Sequence, residues 1–363
     1  MTIALFITVL LLAASNGAND NFKGVATLYG SRTASYWTSL GWASITTLAG
    51  SLCSVFLART LLKAFTGAGL VPPDIAAQTG FALAVAGGAG LTVAVAAWRG
   101  LPVSTTHALV GAMSGAGLVA VGMGVHFASL GKTFLLPLLA SPVIAIIPAF
   151  FIAPLLRRLV ARAQHKRIDC LCVEQGAIAT PAGVLMRATA TLRVGSVAEC
   201  ADTGARTLLR FDARGVVDAL LFLSGGAVSF ARGLNDTPKL AALLLPIAML
   251  DGREAVLAVG VAMLVGGLLG ARRVARTMSD KITNLDLGAA LAASLTTSLL
   301  VSTASINGHP VSTTHVSVGA LVGAGLTGQR GVNRKVINGI VLSWVATLPI
   351  GALFGAMLYG WVR

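Results

Sequence analysis

The 363-residue sequence predicts an all-α polytopic membrane protein. It would consist of two inverted-topology repeats with broken or re-entrant helices and a small cytoplasmic insert, with roughly 10–12 membrane segments of ~20 residues each. Three observations predict this fold. The chain is 55% hydrophobic and only 11% charged, with mean hydropathy +0.83, whereas soluble domains carry about 25% charged residues. Apolar runs recur at the length a bilayer demands. Two polar motifs each occur twice, in the same order, one copy per half.

The first half, 1–156, holds apolar runs at 3–30, 37–58, 80–98, 105–127 and 133–156. The first of these lacks a basic leader and resumes after a polar break, so it reads as a retained span rather than a signal peptide. The second half, 216–363, holds runs at 216–250, 254–270, 286–306, 313–328 and 336–361. The 216–250 run is long enough to contain two shorter helices or a hairpin, which would raise the count to twelve. The 42 glycines suit close helix packing in lipid.

Between the halves, 157–215 is the one long polar segment. Its "GVLMRATATLRVG" alternates as a strand does, so a small β-rich insert is expected. Three of the four cysteines lie there, in no standard zinc spacing and in no pattern that reads as a disulfide framework. Basic residues set the orientation. With this segment in the cytoplasm, five preceding spans put both termini outside. Even without the segment itself, nine Lys/Arg then lie inside (32, 99, 272, 273, 276, 281, 330, 334, 335) against five outside (59, 63, 132, 253, 363). The net charge of +14 would allow a nucleic-acid partner, but no basic stripe with interleaved aromatics accompanies it. Cationic loops beside spans give the same number.

"ANDNFKG" at 18–24 is answered by "LNDTPKL" at 234–240, and PVSTTH at 102–107 by PVSTTH at 310–315. A carboxylate inside a span costs about 2.5–3.5 kcal/mol and usually faces a cavity. Asp20 and Asp236 each sit beside an Asn, in a Gly-x-Asn-Asp context suited to an unwound turn. Their oxygens are hard ligands, suited to Na⁺ or to a proton relay. Each PVSTTH reads as the start of a helix that begins within the membrane, since proline and hydroxyl residues favour that position. Such a start offers free N–H groups, a positive dipole end and the hydroxyls of Ser104, Thr105, Thr106, Ser312, Thr313 and Thr314. His107 and His315 fall in the first turn, as structural or proton-handling groups. An odd number of spans per half inverts the repeats, so that broken helices entering from opposite faces meet near the midplane. An oxyanion site flanked by two carboxylates for coupling cations follows. A Ser104–His107–Asp20 hydrolase is the reading from another class, but duplication of the whole set argues against an enzyme.

"NGAND" and "RGLND", each followed by PVSTTH, resemble the inorganic phosphate transporter family over both halves. The resemblance implies a secondary transporter of phosphate, or of another tetrahedral oxyanion such as sulfate, by symport with H⁺ or Na⁺ at the cell membrane. It implies substrate-binding roles for Asp20, Ser104, Thr105, Thr106, Asp236, Ser312, Thr313 and Thr314. Asn19, Asp20, Asn235 and Asp236 would serve the coupling ion. No resident metal or cofactor is expected; the partners are the oxyanion and the bilayer, with a homodimer allowed. One departure stands out. The family pattern commonly ends Asn-Asp-x-x-Asn, and here that last position is Lys23 or Lys239. A fixed ammonium beside a carboxylate could replace a bound Na⁺ or hold the anion, so weaker Na⁺ dependence is expected, with Lys23, Lys239, His107 and His315 tuning charge.

Overall fold

The computed structural model describes every residue except 68, 166–169, 180–184, 196, 203–205, 211–212, 249, 283–285 and 329–330. Among the described residues, ten helices of 14 residues or more form the body. They are α1 Thr2–Asp20, α2 Tyr36–Leu57, α3 Thr79–Arg99, α4 Thr105–Val121, α5 Leu136–His165, α6 Ala213–Ala241, α7 Gly252–Gly270, α8 Leu287–Ile306, α9 Thr313–Leu326 and α10 Arg334–Val362. Nine are long and apolar enough to cross a membrane, and α9, at 14 residues, is the short one.

Polar caps set several helix starts. Ser35, Asp286 and Asn333 accept backbone N–H bonds at the starts of α2, α8 and α10. Asp251 and Glu254 form a capping box at α7. The backbone N–H groups of Glu254 and Arg253 hold the exposed Asp251 carboxyl below the usual carboxylate range. Gly100 and Gly308 end α3 and α8 in the left-handed region, with φ of 71° and 75°. Those turns send the chain back into the protein as PVSTTH.

Two expectations change here. The 216–250 run is one helix, α6, which continues through Pro238 into a short 3₁₀ turn at Ala242–Leu244, so it is neither a hairpin nor a helix pair. Proline is tolerated inside membrane helices because neighbours re-satisfy the freed backbone groups. The two Asn-Asp motifs also differ. The first breaks into a 3₁₀ segment, Asn21–Val25, after α1, whereas the second stays helical. Gly24 in the first motif is pressed against Ser229 of α6, where a β-carbon would overlap; Leu240 takes that position in the second.

The halves are interlocked by an exchange of partners. α1 packs on α7 of the other half, and α6 on α2; α4 packs on α10, and α9 on α5. The close approaches recur in matching pairs. A β-carbon on Gly17 would overlap the Met263 carbonyl, and one on Gly233 the Thr47 carbonyl. Gly115 faces Ala352 in the same way, and Gly323 faces Ile146. Small residues let these backbones touch, which is how helices associate in lipid. Five helices per half, an odd number, place corresponding helices in opposite directions.

Between α5 and α6 lies a three-stranded antiparallel sheet, ordered β2-β1-β3, from β1 Cys170–Ala179, β2 Leu185–Gly195 and β3 Arg206–Arg210. The alternating "LMRATATLRVG" is β2. The cysteine spacing, which suggests no disulfide framework, conceals one bond: Cys172 and Cys200 are joined, with Cα atoms 6.2 Å apart, because β1 and the short helix Val197–Asp202 pack together. Cys53 is free.

Candidate functional site

Both PVSTTH segments start buried helices. Ser104 and Ser312 are the N-caps, accepting from the N–H of His107 at 3.1 Å and of His315 at 3.3 Å. The two starts face one another. Thr106 Oγ1 donates to the Val311 carbonyl at 3.4 Å, Thr314 Oγ1 donates to the Val103 carbonyl at 2.8 Å, and the histidine rings lie 4.6 Å apart. Two positive helix ends therefore converge inside the protein, an arrangement that favours an anion.

The Asn-Asp motifs close around these starts, and each lysine reaches across to the opposite repeat. Lys23 Nζ donates to Asp20, to Asn19 Oδ1 at 2.7 Å, to the Val103 carbonyl at 2.9 Å and to Thr314 Oγ1 at 2.6 Å. Lys239 Nζ donates to the Val311 carbonyl at 2.7 Å, to Thr106 Oγ1 at 2.9 Å and, more weakly, to Asp236 at 3.5 Å. Thr105 and Thr313 stand 3.5 and 3.4 Å from Asp20 and Asp236. Carboxylate, amide, carbonyl and hydroxyl oxygens thus surround an ammonium where hard-cation ligands were expected.

The asparagines are not equivalent. Asn19 donates to the Leu101 carbonyl and accepts from Lys23, whereas Asn235 donates to Val311 and Asp236 and accepts from Ser305. The Ser104 and Ser312 hydroxyls serve as caps. The His107 and His315 rings lie tilted against each other at 41°, and the ring centroids of His315 and Trp344 are 3.9 Å apart; no hydrogen bond joins either imidazole to the lysines or carboxylates.

Arg232 was missed by the sequence reading. It is 1% exposed, and its guanidinium binds Asn16 Oδ1 at 2.8 Å and Asn21 Oδ1 at 3.0 Å, with Asp236 at 3.8 Å. Asn16 in turn donates to Thr105 at 2.9 Å and to Asp20 at 3.2 Å. A signal did exist: Asn16 and Arg232 stand at the same position, four residues before the motif Asp. Three buried cations now face two carboxylates, a balance that favours an incoming anion.

A model of the phosphate transporter family matches residues 16–355. The chain is 26% identical to "Inorganic phosphate transporter 2-1, chloroplastic" of Arabidopsis thaliana, over 97% of this chain and 70% of that protein. It is 26% identical to the "Probable low-affinity inorganic phosphate transporter" of Mycobacterium tuberculosis, over 98% and 76%. A solved structure titled "The sodium-dependent phosphate transporter" shares the fold, with TM-score 0.74 at 23% identity over 99% of this chain and 98% of that one. On the family match, which takes in both Asn-Asp motifs and both PVSTTH segments, the chain belongs to the phosphate transporter family.

Proposed function

We propose that the protein imports inorganic phosphate by symport and that protons, rather than Na⁺, are the main coupling ion. The observation that carries this is the tethered ammonium. Lys23 sits among Asp20, Asn19, Val103 and Thr314 as a built-in cation, and Lys239 does the same in the other half. A mobile Na⁺ would have to displace a covalently held charge from the same oxygens. Phosphate would be held by the facing helix starts and by the hydroxyls of Thr105, Thr106, Thr313 and Thr314, with an ammonium turned from its threonine toward the anion. Each chain carries a full set of these residues, so a homodimer would hold two complete sites.

Purified protein in vesicles, with Na⁺ and pH gradients imposed separately, tests the coupling. An inward proton gradient in Na⁺-free buffer should drive uptake; uptake that collapses without Na⁺ at constant pH and potential would sink the reading. Sulfate is the second substrate to weigh, since hydroxyl donors suit any tetrahedral oxyanion. Excess sulfate is expected to leave labelled phosphate uptake largely intact, and strong competition would reassign the substrate.

The cradle makes a paired prediction. Thr106→Val and Thr314→Val each remove a hydroxyl bonded to an ammonium, a contact worth about 1.5–3 kcal/mol. Each should raise the KM for phosphate roughly ten- to a hundredfold, and by similar factors. A large effect from one and none from the other would mean that only one lysine faces the anion.

For orientation, the basic-residue bias supports a cytoplasmic 157–215 segment, an insert between repeats 1–156 and 216–363, with both termini outside. The Cys172–Cys200 bond pulls the other way, because disulfides persist mainly in oxidising compartments. The nine-to-five count outside the segment favours the cytoplasm, and that is the orientation we propose.

A further inference from the structure

The two motif histidines make no side-chain hydrogen bond to the lysines or carboxylates of the charged cluster; they line a cavity of about 520 Å³ bounded by α5, α9 and α10. Apart from the imidazoles and Trp344, its walls are aliphatic, among them Leu138, Pro142, Val341 and Val345. From Ile337 to Leu348 on α10 the cavity runs eleven residues, about 17 Å at ~1.5 Å rise per residue. That is roughly half the ~30 Å hydrocarbon thickness of a bilayer. Leu139, Val143, Val341 and Val345 are exposed, 44–67%, so the mouth opens on the lipid side of membrane-spanning helices.

Within this apolar setting sit two polar atoms without partners. His107 and His315 are 5% and 2% exposed, yet His107 Nδ1 and His315 Nε2 make no hydrogen bond. The Leu138 carbonyl, 2.9 Å from His315 Nδ1, can only accept, so the proton of the neutral ring is on Nδ1. Nε2 then carries a bare lone pair and needs a donor. An acyl chain, the ordinary occupant of a lipid-facing groove, has none. His107 is free to take either tautomer and can return an N–H to an oxygen.

We propose that this cavity binds a lipophilic molecule bearing a hydroxyl group, such as an alkylphenol or long-chain alcohol, whose O–H donates to His315 Nε2 while its apolar body lies along α5 and α10. The imidazoles directly follow Thr106 and Thr314 in sequence, so an occupant stands one residue from the cradle threonines. The inference rests on the cavity and the orphan nitrogens, and it holds whichever ion drives transport.

The test uses full-length protein in phosphatidylcholine vesicles and two photoreactive probes, a 4-alkylphenol and the matched alkylbenzene without the hydroxyl. Adducts are mapped by peptide mass spectrometry. The phenol should label 138–146 and 337–348 at least tenfold more than the alkylbenzene. In His315→Phe its labelling should fall to the alkylbenzene level, with alkylbenzene labelling unchanged as evidence that the cavity survives. Val345→Trp, which fills the mouth, should reduce both. Equal labelling of the wild-type protein by the two probes overturns the proposal, whatever the variants do, and leaves the groove an ordinary lipid-facing surface.

Discussion

Lys23→Ala is expected to reduce phosphate uptake to background and to destabilise the purified protein by about 3–5 kcal/mol, the usual cost of stranding one member of a buried ion pair. The ammonium leaves behind Asp20, Asn19 Oδ1, the Val103 carbonyl and Thr314, all buried and all deprived of one donor. Vesicle uptake reads the first effect and thermal unfolding in detergent the second. The double variant Asp20→Asn/Lys23→Met separates the two roles. It removes both charges together, so stability should return most of the way to wild type while uptake stays absent. Recovery of uptake in the double variant would reduce the pair to a structural clasp. Lys23→Asn restores the residue common in the family pattern. If the tethered cation takes the place of Na⁺, this variant should transport only when Na⁺ is supplied.

Arg232→Met should be nearly as severe, for a different reason. The guanidinium links Asn16 and Asn21 of one repeat to Asp236 of the other, and nothing in the first half reproduces it. Removing it lowers the local balance from three cations against two carboxylates to two against two. The KM for phosphate should rise at least tenfold, the equivalent of about 1.4 kcal/mol. Stability should fall by about 3 kcal/mol or more as Asp236 loses a charged neighbour. Arg232→Lys keeps the charge but not the planar fork that spans two asparagines, so it should retain more affinity than stability. Equal phosphate KM values in wild type and Arg232→Met would show that the cluster's charge does not act on the anion.

The ten helices were legible because lipid imposes a minimum run of apolar residues and the chain interrupts those runs with loops. The cradle was legible because PVSTTH and Asn-Asp are polar exceptions in apolar surroundings, repeated at matching intervals. The contacts were not. Lys23 reads from sequence as a partner for Asp20 three residues away, and its bond to Thr314, 291 positions on, depends on how the repeats interlock. Arg232 looks like a stray charge in an apolar run until α6 brings it against Asn16 and Asn21. Hydropathy also marks a face as apolar without saying which helix covers it, so the exchange of partners left no trace in the pattern. The Cys172–Cys200 bond hid for a similar reason: the packing of the short helix Val197–Asp202 on β1 decides which thiols meet.

That exchange has a consequence for how the chain comes to be made. α1 leaves the ribosome before the other nine helices, yet a principal neighbour, α7, begins at Gly252, and α4 waits for α10. The first five helices must therefore enter the bilayer with their closest-packing glycine faces uncovered, held by lipid until the second five arrive. Neither half is a unit of assembly. A chain halted after the insert would have no native partner for Gly17 or Gly115, and would be a substrate for membrane quality control rather than half a transporter.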